Sequence, residues 1–301
     1  MRHDMQALNA GLVEHELVLP SGVKGVWGRG TVLEEIIQRF NDFVSRETKD
    51  DGAQALKFPP VLPRTLIEKL GYLDNFPQLA GSVHSFFGND TQAREIARKA
   101  REAERWEDML QPTEVMLAPA ACYAVYPNFS GLLPGKGRLI TVTGWVFRHE
   151  PSDEPTRLQS FRMREFIRMG APDEVVSWRD AWLERGLGML QRLGLEAKSD
   201  VAADPFFGRT GRMMAAQQVE QRLKFEILVP VISQEQPTAV CSFNWHQDHF
   251  SGKFGIRTAD GETAHTACLG FGLERVALAL INTHGFDIGG WPPEVRSLLW
   301  P

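Results

Sequence analysis

Two groups of residues in this 301-residue chain have types and spacings suited to a charged, phosphate-bearing substrate. The first is Phe147-Arg148-His149-Glu150, followed at a distance by Arg162 and Phe166. In an extended strand, residues two apart share a face, so Arg148 and Glu150 point the same way. A guanidinium fork binds a phosphate or carboxylate through two parallel hydrogen bonds. A ring such as Phe166 offers a stacking surface for a base. An ordinary Arg–Glu pair on a surface hairpin has the same spacing. The second group is Gly270-Phe271-Gly272-Leu273-Glu274-Arg275. Glycines at a strand-to-helix junction let backbone approach a ligand closely, and helix N-termini favour anions. Tight packing alone would also produce that pattern.

Other residues with ligand chemistry are more scattered. The chain has three cysteines, Cys122, Cys241 and Cys268. An odd, small number argues against a disulfide framework and for a reducing, cytoplasmic setting. Cys241 reads as a free core cysteine. His246-Gln247-Asp248-His249 is a tempting metal cluster, but CSFNWHQDHF reads as a strand running into a turn, which favours hydrogen-bonding roles. Asp204, in AADPFF, is a lone acid flanked by apolar residues.

The elements that must carry these residues follow from periodicity. Residues 138–147 (RLITVTGWVF) alternate and are β-branched and aromatic, so they read as a strand. Residues 158–169 form its return strand, making EPSDEPTR the loop of a long hairpin. Residues 223–232 and 239–245 give two more strands, and residues 177–195 a helix with Trp178, Trp182, Leu190 and Leu193 inward. Residues 271–281 form a helix entered through LGFGLER. From Thr31 to Val44 the apolar residues recur at helical spacing, and ALKFPPVLP reads as a strand ended abruptly by paired prolines. Residues 91–110, dense in both charge signs, read as an exposed helix laced with i,i+4 pairs. Strands joined by hairpins favour an antiparallel α+β sheet over a doubly wound one. Neither GxGxxG nor a GKS/GKT phosphate loop is present.

Composition bounds the rest. The chain is 43% hydrophobic and 24% charged, ordinary for a globular protein, which excludes disordered, collagen-like and coiled-coil classes. A net charge of -5 disfavours a general nucleic-acid binder. No apolar run approaches the roughly 20 residues that span a bilayer, and no signal peptide is expected at the N-terminus.

Taken together, the FRxE strand end, the Arg-x-x-x-Phe return strand and the GxGxER helix entry resemble motifs 2 and 3 of class II aminoacyl-tRNA synthetases. The helix from Thr31 and the strand ending at Pro59-Pro60 resemble motif 1. FPPVLPRTLIEKLGYLDNFP, KFEILVP and CSFNWHQDHF are similar to core segments of seryl-tRNA synthetases. The resemblance implies a class II synthetase-like α+β fold, an antiparallel sheet flanked by helices, in one catalytic domain over residues 1–301. Motifs 1, 2 and 3 then lie at about residues 25–60, 138–170 and 266–282, dimerising through motif 1, with no tRNA-gripping arm.

Pro119-Ala120-Ala121-Cys122 stands where those enzymes carry Pro-Thr-x-Glu. A Cys there resembles the atypical, zinc-dependent seryl enzymes of methanogens, and implies zinc held by Cys122, Glu165 and Cys268. Short, armless relatives of that enzyme are amino acid:[carrier protein] ligases, and this sequence resembles them. The resemblance implies ATP-dependent activation of a small amino acid, glycine or alanine, as the adenylate. Transfer to the phosphopantetheine thiol of a carrier protein would follow. Arg148, Glu150, Arg162, Phe166 and Arg275 would bind ATP, Arg148 and Arg275 acting catalytically and Phe166 stacking on adenine. Arg148, Asp204 and Asn244 would bind the amino acid. ATP would come with Mg2+, whose ligands are not identified, since Thr238 falls near the place of an expected Glu and Gly170 where motif 2 usually has an acid. A homodimer is implied, and neither a membrane nor tRNA is an expected partner. The alternatives are an armless tRNA-aminoacylating enzyme and a non-catalytic paralogue.

Overall fold

The computed structural model describes residues 5–301. Its centre is a seven-stranded sheet built from β1 (Gln54–Leu56), β2 (Arg138–Phe147), β3 (Ser160–Gly170), β4 (Lys198–Val201), β5 (Lys224–Val229), β6 (Thr238–Gln247) and β7 (His265–Gly272). The spatial order is β4-β5-β6-β7-β3-β2-β1. Every neighbouring pair is antiparallel except β1 and β2, which run parallel. The expected antiparallel sheet is thus a mixed one at its edge. The paired prolines limit that edge strand: β1 stops before Phe58-Pro59-Pro60, where a ladder N–H is missing. The chain resumes as Val61–Pro63 in a separate three-stranded sheet with Ser82–Ser85 and Gln111–Leu117.

Strand parity divides the central sheet into two faces. One row runs Phe166, Leu269, Phe243, Phe225 across four strands. All four are buried in the main core. Three helices cover that face: α1 (Thr31–Glu47), α2 (Pro172–Arg192) and α4 (Leu273–His284). The apolar stripe of α1, Leu33, Ile36, Ile37, Phe40, Phe43 and Val44, is buried as its period demands. On α2, Trp182, Leu190 and the following Leu193 are buried, with Trp178 packed at the edge.

The other face carries the functional cavity, roofed by turns around Ala121–Ala124, by the short helix His249–Phe254 and by α3 (Gly208–Glu220). Phe147 pairs with Ser160, so residues 148–159 form the hairpin loop. The charged segment is helical only over Asp90–Arg101, where Asn89 and Gln92 form a reciprocal cap. It then breaks at Ala103, whose φ is +54°. Arg98 still pairs with Glu95 and Glu102 along the helix. Among the described residues, no helix is long and apolar enough to cross a membrane.

Candidate active site

On the cavity face, two rows of side chains cross the sheet side by side. One is Ile167, Cys268, Asn244, Lys224; the other is Glu165, Gly270, Ser242, Glu226. The register therefore sets side by side residues as far as about a hundred positions apart in sequence, such as Glu165 and Gly270. Gly270 matters here because a Cβ would stand 2.6 Å from the Met163 methyl and 3.2 Å from Cγ of Glu165. Its bare backbone keeps open the space above the carboxylate. The cavity encloses about 480 Å³.

At one end lie the two thiols and the carboxylate. Glu165 is buried and takes backbone N–H bonds from Ala121 at 2.9 Å and Cys122 at 2.8 Å. Burial, reinforced by the Cys268 charge, pushes its carboxyl up to about 7. The neighbouring Cys268 sulfur, with burial, raises the Cys122 thiol, while Cys122 and His246 lower Cys268. Asn244 Nδ2 lies 3.6 Å and His246 Nε2 3.4 Å from the Cys268 sulfur. Among the described residues, no three His, Cys, Asp or Glu side chains are arranged to hold a metal ion as they stand. The donor set itself suits zinc, with two sulfurs and one carboxylate leaving a fourth position. Both Glu165 oxygens are already engaged by backbone amides.

At the other end lie two arginines. Arg148 leaves the end of β2, donates from Nε to the Pro119 carbonyl at 3.2 Å, and stacks over Phe161 at 5.6 Å. Arg275, in the first turn of α4, donates to the carbonyls of Thr156 and Ala239, each at 2.9 Å. Burial, with Arg148 nearby, lowers its guanidinium from the usual value.

Between the ends, Asp204 is tied on every side. Its backbone N–H and one carboxylate oxygen bond to Gln218 at 2.7 and 2.9 Å, and Lys224 Nζ meets the other oxygen at 2.7 Å. Lys224 also lies 2.9 Å from Glu226. Burial alone would raise Asp204, but Lys224 and Gln218 outweigh it and hold it below the usual carboxylate value. Burial would likewise lower Lys224, and the two carboxylates outweigh it and raise it.

No protein-family model matches the chain. Two curated Bradyrhizobium diazoefficiens proteins, amino acid--[acyl-carrier-protein] ligases 1 and 2, are each 43% identical to it over 280 residues. Those matches cover 92% of this chain and 86% and 84% of the relatives. The chain belongs to the amino acid--[acyl-carrier-protein] ligases. A type-2 serine--tRNA ligase of Methanococcus aeolicus is 26% identical over 290 residues, and the chain matches 55% of its length. Among solved structures, the seryl-tRNA synthetase of M. kandleri, in complex with A. aeolicus tRNASec, superposes with a TM-score of 0.83 at 23% identity. That match covers 99% of this chain and 60% of the other. The seryl-tRNA synthetase of Pyrococcus horikoshii complexed with ATP gives a TM-score of 0.71 at 14% identity. The fold is that of the class II synthetases.

In this ligase Arg148, Arg275, Asp204, Asn244, Cys122 and Cys268 line one cavity, with Glu165 bonded directly behind Cys122. Three expected site residues, Phe166, Arg162 and Glu150, do not join them. Phe166 is fully buried against Trp182, ring centroids 5.1 Å apart, on the helix-covered face. Arg162 points to that same side and is held by Glu274 and Glu34. Phe166 and Arg162 are displaced by strand parity: the cavity takes the odd-numbered residues of β3, Phe161 and Met163 among them. Glu150 is not part of the cavity wall and pairs with Arg157 at 3.3 Å. Sequence reading missed Lys224, Glu226, Phe161 and Gln218, whereas His246, expected in a hydrogen-bonding role, contacts Thr266 and Cys268. Lys224 and Glu226 left a signal, since two charges at period two in an otherwise apolar strand mark a polar-lined face.

Proposed function

We propose that this ligase activates a small amino acid with ATP and passes it to the phosphopantetheine thiol of a carrier protein. The relatives' names support the reaction class. The observation that carries it is the separation, within one cavity, of an arginine-rich end from a thiol–carboxylate end. A phosphate chain belongs at the first, and an amino acid's head group at the second.

The amino acid carboxylate oxygen attacks the α-phosphorus, the bond to the bridging oxygen breaks, and pyrophosphate leaves. The thiol then gives up its proton and attacks the adenylate carbonyl, forming the thioester and releasing AMP. Arg148 clamps the carboxylate and α-phosphate as charge builds, and Arg275 meets the outer phosphates. Lys224, raised by its neighbours, stays protonated and holds the Asp204 and Glu226 carboxylates in place. Asp204 and Asn244 face the amino acid, and Phe161, beneath Arg148, takes the stacking role first assigned to Phe166. Held by Cys122, Glu165 and Cys268, zinc would supply a Lewis-acid site for the neutral α-amino group. Magnesium would accompany ATP, and two copies would pair through the α1 region.

The test is amino-acid-dependent ATP–pyrophosphate exchange with all twenty amino acids, then transfer to a holo carrier protein. Exchange with glycine or alanine, reduced at least ~100-fold in Arg148→Ala and in Arg275→Ala, supports the reading. Near-normal exchange in both variants overturns it.

A further inference from the structure

Glu274 carries a carboxylate that no step above uses. It is the second residue of α4, fully buried, and lies outside the cavity wall. One of its oxygens accepts the backbone N–H of Arg162 at 2.7 Å, and the other accepts Arg162 Nε at 2.9 Å. Arg29 stands 3.2 Å from that second oxygen and also donates to the Ser160 carbonyl at 3.0 Å. The outer nitrogens of Arg162 pair with Glu34 on α1, one of them at 2.9 Å. Both guanidinium groups flank the Trp145 ring, 4.7 and 4.9 Å from its centre.

The placement of this cluster is what gives it meaning. Ser160 opens β3, so Glu274 fastens the return strand where the 148–159 loop ends. The adjacent Arg275 reaches to the opposite side and takes the Thr156 carbonyl of the same loop. The first turn of α4 therefore grips the hairpin from both faces, Glu274 through β3 and Arg275 through the loop. Buried ion clusters add little net stability over apolar packing of the same volume, yet they fix one geometry, because any other leaves a buried charge unpaired.

We propose that Glu274 is a positioning residue: by locking α4 to β3 through Arg162 and Arg29, it aims Arg275 at the ATP phosphates. This rests on the activity proposed above and names what sets its ATP affinity. The experiment compares ATP–pyrophosphate exchange in wild type, Glu274→Gln, Arg275→Ala and the double variant, each well below its own Tm. Glu274→Gln raises the KM for ATP roughly tenfold with a smaller change in kcat, and in the Arg275→Ala background it adds less than about twofold. A lowered Tm with an unchanged KM, or losses that multiply in the double variant, overturns the inference while wild-type exchange keeps the activity standing. A wild type without exchange overturns both. Should Glu274→Gln not fold, Arg29→Lys keeps the charge and loses the fork, and carries the same KM shift at roughly threefold; an unchanged KM there overturns the proposal.

Discussion

Nζ of Lys224 lies 2.7 Å from Oδ1 of Asp204, although the two residues belong to different elements twenty positions apart. Lys224 is buried on β5, and Asp204 stands in the turn before α3. Each holds the other ionised against the cost of burial. Lys224→Met removes the main counter-charge of Asp204. With the Asp204 side chain about a third exposed (33%), the expected loss is about 2–3 kcal/mol, below the range for a fully buried pair. The sign with pH follows from the directions. Asp204 is lowered, so its contribution is present above the ordinary carboxylate value of about 3.9 and fades as pH falls through its lower folded value. Lys224 is raised, so its contribution is present below about 10.4 and fades only as pH rises past its folded value. Urea unfolding across that range should show the wild type's stability falling at both extremes. In the variant burial is no longer offset, and the folded Asp204 value rises toward or above the unfolded one. Its acid-side loss should then be shallower, so that the two stabilities converge as pH falls; identical acid limbs would show that the pair is not coupled.

Phe161 and Phe166 provide a second test because they sit on one strand with opposite parity. Phe161→Ala opens the cavity floor beneath Arg148 and should raise the KM for ATP about tenfold, base stacking being worth about 1–3 kcal/mol. Phe166→Ala empties the core against Trp182 and should cost about 3–5 kcal/mol of stability, leaving the KM for ATP unchanged. Steady-state kinetics and denaturant melts on both variants decide between them. An ATP effect from Phe166 and none from Phe161 would reverse the assignment.

That pair also shows where sequence reading succeeds and stops. The long hairpin, the α1 stripe and the strand-to-helix entry at Gly270–Arg275 were legible because period and glycine placement are local. The Cys122–Glu165–Cys268 grouping was not, since it depends on which strands lie side by side; the family resemblance supplied it. Phe166 failed for a subtler reason. A strand's alternation tells which residues share a face but not which face meets the ligand, and β3 is covered on both sides. The ion pair of Arg162 with Glu274 is likewise invisible until β3 and α4 are packed together.

Metal dependence is the third prediction. Protein purified without chelator should carry one zinc per chain, and Cys122→Ser with Cys268→Ser should carry none. The Glu165 carboxyl, pushed up to about 7, and the raised Cys122 thiol must both lose protons to bind the ion. Removing zinc with a chelator should therefore abolish amino-acid-dependent exchange, and adding it back should restore activity. Metal analysis gives the direct answer: no stoichiometric zinc in the wild type, or full retention in the double variant, sinks the assignment.

The last prediction joins substrate and acceptor. The proposed contact between the thiol–carboxylate end and the α-amino group uses a feature common to all primary amino acids, so it would reject none of them. Discrimination must come from the walls beyond it, where His246, Phe250 and Tyr123 close the cavity. Excluding a bulky side chain by steric contact is easy, whereas one methyl group changes binding by only about 1–3 kcal/mol. Glycine or alanine should therefore be the preferred substrate, with measurable leakage between them and larger amino acids rejected by more than about a hundredfold. On the acceptor side, a pantetheine arm is a thin chain that needs only a narrow approach to the adenylate. A tRNA needs phosphate contacts, and a chain of net charge -5 offers them no general attraction. Incubation with ATP, labelled glycine or alanine and both acceptors should load the holo carrier protein. The label should be released by hydroxylamine, as a thioester demands, and should be missing from the apo carrier. Efficient charging of bulk tRNA with the carrier left unmodified would transfer the assignment to tRNA aminoacylation.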